Sequence, residues 1–185
     1  MDVGGKPLRI AYNARHKQNA HEPVISIPTD GKVASKAVYF VDWQPKDNPK
    51  LLCRSIEQLV SNVIETAASE NYKSIAFPAI GCGQYGCPAS LVAQTFVKQV
   101  EKELIKHPMM ISFVIQKDRP EIYDEFLQQI DSDEQKLEAS TPKRMSIKVG
   151  DATLEIIKGD ITKQKVNIFT YQFKVVDFLF FQIIG

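Results

Sequence analysis

Apolar positions along the chain switch between two periods. From Pro49 to Glu70, residues Leu52, Ile56, Leu59, Val60, Val63, Ile64 and Ala67 recur every three or four positions, the spacing of one buried helix face. Asn48 can cap that helix, Pro49 suits its first turn, and Asn71 ends it. Pro88 to Lys106 repeats the pattern with Leu91, Val92, Phe96, Val100 and Leu104, and His107-Pro108 stops it. Asp118 and Pro120 open a third helix carrying Ile122, Tyr123, Phe126, Leu127 and Ile130. A shorter helix is expected over Pro7 to Asn19, with Leu8, Ala11, Tyr12 and Arg15 on one face.

Between these segments lie strand patterns. Glu22 to Pro28 alternates. Lys36 to Trp43, Ser74 to Ile80 and Met109 to Ile115 are almost continuously apolar, as strands buried on both faces are. Strand and helix alternate from Lys36 to Ile130. That order predicts a three-layer α/β/α sandwich on a mixed, largely parallel sheet. Asp131 to Arg144 breaks the pattern: it is polar, carries both charge signs and contains Ser140-Thr141-Pro142, and it reads as a linker. Strands resume over Met145 to Lys158, turning at Gly150-Asp151. Ile168 to Gly185 is rich in Phe, Ile, Leu and Val, but Lys174 and Asp177 interrupt it. Its longest clean apolar run, Phe178 to Phe181, is far short of the roughly 20 residues a spanning helix needs. It reads as one or two strands in want of a partner sheet.

Composition adds exclusions. The 185 residues are 44% hydrophobic and 24% charged, as in a globular protein and unlike a disordered chain. Lys plus Arg number 23 against 22 Asp plus Glu, a net charge of +1, so no electrostatic bias toward nucleic acid or an anionic membrane is expected. Three cysteines without repeated spacing suit a reducing compartment, and Met1 to Lys6 has no secretory apolar run. The expected location is intracellular, nuclear and/or cytoplasmic.

The most informative segment is Gly81-Cys82-Gly83-Gln84-Tyr85-Gly86, between a strand and a helix. Glycines permit positive φ and close approach of backbone to ligand. Successive N–H groups and the following helix N-terminus can hold phosphate oxygens without Lys or Arg. The spelling matches G-x-G-x-x-G, yet the acidic residue a dinucleotide site needs about 20 residues on, at the next strand end, is missing. Asp118 lies too far along, and Glu101 and Glu103 sit inside a helix. Cys82 and Cys87 form no C-x-x-C, and His16, His21 and His107 are scattered, so no metal site and no cofactor is expected. Cys82 has no histidine at a suggestive spacing and reads as a small loop-lining residue. Trp43 reads as strand-end packing, and His16 and His21 as solvated.

The stretch Ser74-Ile75-Ala76-Phe77-Pro78-Ala79-Ile80-Gly81-Cys82-Gly83-Gln84-Tyr85-Gly86-Cys87-Pro88 resembles the second ligand loop of the macrodomain family, in the style of the tandem macrodomains attached to poly-ADP-ribose polymerases. Those domains bind ADP-ribose, and some hydrolyse ADP-ribosyl linkages. The resemblance implies that Gly81, Cys82, Gly83, Gln84, Tyr85 and Gly86 wrap the diphosphate and distal ribose, with Tyr85 near that ribose. Gln116 stands where some relatives place an adenine-stacking aromatic. The family's opening segments, Gly-Asp-Ile, Asn-Ala-Ala-Asn and a triple-glycine loop, do not precede Glu22. Yet Leu154-Glu155-Ile156-Ile157-Lys158-Gly159-Asp160-Ile161-Thr162 resembles a macrodomain's first strand, which puts Asp160 at the family's adenine-amide contact.

Two arrangements follow. The preferred one divides the chain into a macrodomain-like unit over 1–130 lacking its first strands, a linker over 131–145, and the truncated start of a second macrodomain over 146–185, as in a fragment of a tandem protein. In the other, Met145 to Ile168 folds back to supply the missing strands and brings Asp160 to the Gly81 loop. The function implied is binding of ADP-ribose or of mono- or poly-ADP-ribosylated proteins, without direct nucleic-acid or membrane contact. The alternatives are an ADP-ribosyl hydrolase and a degenerate, non-binding interaction fragment. No catalytic base is evident, and enzymatic activity is left open, leaning against.

Overall fold

The computed structural model describes residues 5–18, 21–29, 34–130, 144–166 and 168–173. They form helices α1 (Gly5–Gln18), α2 (Pro49–Ser69), α3 (Ala89–Lys106) and α4 (Pro120–Ile130). The strands are β1 (Val24–Pro28), β2 (Ala37–Asp42), β3 (Ser74–Phe77), β4 (Met110–Ile115), β5 (Arg144–Val149), β6 (Ala152–Lys158) and β7 (Ile168–Phe173). All seven strands belong to one sheet in the order β1-β2-β7-β3-β4-β6-β5. The central pairs β2–β7, β7–β3, β3–β4 and β4–β6 are parallel, and the edge pairs β1–β2 and β5–β6 are antiparallel. This is the mixed, largely parallel α/β sandwich expected.

Local signals explain the helix ends. Asn48 Oδ1 accepts from the Lys50 and Leu51 amides at 2.9 and 3.3 Å, satisfying donors that have no partner inside α2. Asn71 takes φ 61° just past the helix, where its short polar side chain tolerates the left-handed region. The apolar stripe of α2 is buried residue for residue as its spacing predicts. It packs with α3 and α4 against one face of the sheet. There Phe77, Phe96, Phe113 and Phe126 form a buried aromatic cluster with ring centroids 4.8–6.4 Å apart. On the other face, Tyr12 of α1 packs with Ile25, Ile27, Val38 and Phe40. Among the described residues no helix is long and apolar enough to cross a membrane.

The described residues from 146 to 173, expected to belong to the opening of a second domain over 146–185, instead supply strands of this sheet. β6 pairs with β4 over Met110↔Thr153 to Ile115↔Lys158, and β5 turns back on β6 through Gly150, at φ 59°. β7 lies between β2 and β3, with Ala37↔Ile168 to Asp42↔Phe173 on one side and Ile75↔Ile168, Ala76↔Phe169 on the other. The physical reason is the open edges. Without these strands β4, β3 and β2 would each present unpaired N–H and C=O groups beside a buried core. Leu154 and Ile156 are fully buried against the core, and the Ser112 hydroxyl donates to the buried Glu155 carboxylate across the β4–β6 pair. Fold-back of Met145 to Ile168 is thus the arrangement the sheet adopts. The linker residues 131–143 and the apolar tail 174–185 lie outside the described residues.

Candidate functional site

The ends of parallel strands collect the chemistry. In an open α/β sheet, ligands bind outside the carboxyl ends of the strands, and here those of β3, β4 and β6 lie side by side. After β3 come Pro78, Ala79 and the glycine loop. After β4 come Gln116 to Arg119. After β6 come Gly159 and Asp160. The Gly159 amide donates to the Ile115 carbonyl at 2.8 Å, tying the last two strand ends together. A cavity of about 200 Å³ opens among them, lined by Pro78, Ala79, Gly83, Val114, Ile115, Gln116, Arg119, Ile122, Gly159, Asp160 and Ile161. Gly83 and Asp160, more than 70 positions apart in sequence, therefore face one space.

The loop is braced from beneath by Trp43. Gly81 has φ +88°, and a Cβ placed on it would lie 3.0 Å from Trp43 Cη2 and 3.2 Å from Cys87 Sγ. Glycine is required there twice over, by conformation and by contact. The Trp43 indole N–H donates to Ser55 Oγ at 3.1 Å, which pins the ring to α2. The Tyr85 ring stands edge-on to Trp43, centroids 6.1 Å apart at 88°. Gly83 has nothing within 4 Å of its Cβ position, so it faces open space at the cavity.

The six loop residues do not act alike. The amides of Cys82, Gly86 and Cys87 are taken by the Ala79, Gly83 and Gly81 carbonyls at 3.0–3.1 Å, bonds that fix the loop's shape. Those of Gly81, Gly83 and Gln84 make no such bond among the described residues. Cys82 is buried behind the loop, and burial pushes its thiol up to about 12, so at neutral pH it is a packing group and not a thiolate nucleophile. Gln84 and Gly86 are exposed and do not line the cavity. Burial also raises the Tyr85 phenol, keeping it neutral.

Asp160 is set by the turn after β6. Its carbonyl accepts from the Lys163 amide at 3.2 Å and from Gln164 Nε2 at 3.1 Å, and its carboxylate lies 3.6 Å from Lys163 Nζ. Arg119 was not singled out by sequence. Its Nη2 donates to the Cys82 carbonyl at 3.4 Å and its Nε to Glu121 at 2.7 Å, so a guanidinium held at both ends borders the cavity. The site is less purely backbone than the near-neutral composition suggested. The signal that could have found it is position: Arg119 follows the β4 strand end and directly precedes the Pro that opens α4.

Comparison with known proteins agrees with this geometry. The Macro domain family profile matches residues 5–96. The O-acetyl-ADP-ribose deacetylase of Enterobacter sp. strain 638 is 30% identical over 111 residues, covering 58% of this chain and 61% of that protein. That of Cronobacter sakazakii is 32% identical over 112 residues, covering 57% and 60%. The chain thus spans about 60% of the length of these relatives. Among solved structures, the Oceanobacillus iheyensis macrodomain with MES bound superposes with TM-score 0.64 at 16% identity, over 71% of this chain and 72% of that one. A mutant of the same macrodomain with ADPR gives 0.63 at 17%, over 70% and 73%. Profile, relatives and fold converge on the macrodomain family.

Proposed function

We propose that the chain binds ADP-ribose, free or attached to protein. The observation that carries the reading is the shared cavity, where the Gly83 loop and Asp160 meet although the chain's own order separates them. The diphosphate sits on the unbonded loop amides, the nucleoside end lies toward Gln116, Arg119 and Asp160, and Tyr85 with Trp43 marks the distal end. Residues 144–173 stand in for the opening strands that a macrodomain otherwise supplies from its N-terminal side. Calorimetry with ADP-ribose tests this. Saturable binding that Asp160→Ala weakens about tenfold or more is expected, since a hydrogen bond to a charged group contributes about 1.5–3 kcal/mol. No heat from a folded sample at millimolar protein refutes it.

The names of the relatives favour a second reading, hydrolysis of an acyl or ADP-ribosyl linkage. The buried, protonated Cys82 argues against a thiol mechanism in that case. Release of acetate from O-acetyl-ADP-ribose above the uncatalysed rate separates an enzyme from a binder.

A further inference from the structure

The cavity lining carries one cationic side chain, Arg119, and the ADP-ribose reading gives its charge no task. Its backbone is fixed on both sides. The Arg119 amide donates to the Gln116 carbonyl at 3.2 Å, and the Arg119 carbonyl accepts from the Tyr123 amide of α4 at 3.2 Å. Its side chain is fixed at two points of the fork, by Nε on the Glu121 carboxylate and by Nη2 on the Cys82 carbonyl. A guanidinium has five N–H donors and keeps its charge in a protein. Three of the five therefore donate to no described residue. The side chain is 39% exposed where it borders the cavity, so a ligand can reach those donors.

The surrounding charges decide what the guanidinium can take. Glu121 holds Nε, but its side chain is 60% exposed and water screens it. Asp118 is also close enough to act on the guanidinium. Within the lining the one carboxylate, Asp160, lies 3.6 Å from Lys163 Nζ, which offsets its charge. The Cys82 carbonyl matters more. It belongs to the loop that receives the diphosphate, and a bare carbonyl oxygen there would repel a phosphate. Arg119 covers that oxygen. The same planar fork suits charge-assisted bonds to phosphate oxygens.

Position decides which phosphate. Arg119 is tied to the loop through the Cys82 carbonyl and to Gln116 through its own amide, and Asp160 lines the same cavity. It therefore stands where the diphosphate end and the nucleoside end of the ligand meet. Resting on the ADP-ribose reading, we infer that Arg119 is a specificity-determining residue for the phosphate joined to adenosine: it covers the Cys82 carbonyl and places its remaining donors on that phosphate, so that the site selects 5′-phosphorylated adenosine ligands by charge.

The test uses the full chain, native, Arg119→Gln and Arg119→Lys, with ADP-ribose and with AMP, whose one phosphate is the one joined to adenosine. Affinities are measured by calorimetry at about 0.02 M and about 0.5 M salt, where exposed charges act over roughly 20 Å and roughly 4 Å. Thermal denaturation of the same samples reports folding. At low salt the glutamine variant binds each ligand about tenfold more weakly than the native chain, as expected for one hydrogen-bonded charge, and at high salt the gap closes to about threefold or less. Arg119→Lys keeps the charge and binds both ligands more tightly than Arg119→Gln at low salt. Equal affinities of native and glutamine variant at low salt, with ADP-ribose bound, overturn the assignment and leave the ADP-ribose reading standing. A loss of the same size at both salt concentrations marks a mere prop for the loop and overturns it too, as does a lysine variant no tighter than the glutamine one. A loss confined to ADP-ribose puts the guanidinium on the other phosphate and overturns its placement. Failure of ADP-ribose to bind the folded native chain overturns both readings.

Discussion

Two glycines two positions apart in the loop should respond in opposite ways to substitution. Gly81→Ala forces a Cβ into the left-handed region at φ +88° and to 3.0 Å from the Trp43 ring, which is anchored by its bond to Ser55. Left-handed strain costs about 1–2 kcal/mol and overpacking a well-filled site about 1–3 kcal/mol. A loss of roughly 2–5 kcal/mol is expected, which for a chain of this size lowers Tm by roughly 4–20 °C. Gly83→Val meets nothing within 4 Å and needs no positive φ, so its stability should stay within about 0.5 kcal/mol of native, as for a surface site. Its side chain enters the cavity of about 200 Å³ and obstructs the path from loop to Asp160, so ADP-ribose binding should be abolished. The assay is thermal denaturation followed by calorimetry on the same samples. An unshifted Tm for Gly81→Ala refutes the bracing by Trp43. Unchanged affinity for Gly83→Val refutes the assignment of the cavity, whatever the melting shows.

Three further outcomes are expected. Leu154→Ala, which empties a fully buried position on β6, should cost about 2–5 kcal/mol by urea denaturation, whereas a cost under 1 kcal/mol means β6 is not part of the core. Burial opposes the charge on Glu103, but the Ser61 hydroxyl, Lys106 and Gln99 outweigh it and hold this carboxyl below its usual range. Its stabilisation is then present above the unfolded value of about 4.3 and lost as pH falls through the folded value. Glu103→Gln should thus destabilise the chain at pH 7, with the difference from native shrinking below pH 4; a difference that does not change with pH contradicts the charge-based account. Native Cys82, buried and pushed up to about 12, should resist a thiol reagent at pH 8 until the chain unfolds, and rapid labelling there means the loop opens.

Much of this was legible in the residues because local rules decided it. The stripe of α2, its Asn48 cap and the Gly81 turn depend on neighbours within a few positions, and each lies where the spacing put it. Strand order is a different kind of information. The strand character of Met145 to Lys158 was plain, but its partner was not, because alternation states which face is buried and not against what. By sequence, the resemblance of Leu154 to Thr162 to an opening strand favours the start of a new unit. In the sheet this segment is β6, paired in parallel with β4. Arg119 was passed over for a similar reason: its contact with the Cys82 carbonyl spans 37 residues and leaves no local trace.

The late strands matter to the site at two places. β6 delivers Asp160 beside Gln116, which is visible in the cavity lining. β7 acts less directly. Trp43 comes from the end of β2, and the loop it braces comes from the end of β3, yet those strands do not touch, because β7 lies between them and pairs with both. Remove that strand and β1–β2 has no ladder to β3–β4. A pair of strands alone is marginal in water, and the indole would keep its bond to Ser55 of α2 but lose the sheet that sets β2 against β3. The loop's shape therefore depends on a strand about 90 residues downstream. Residues 5–130 hold most of the lining groups, but residues 144–173 hold those groups in the arrangement that makes them a site.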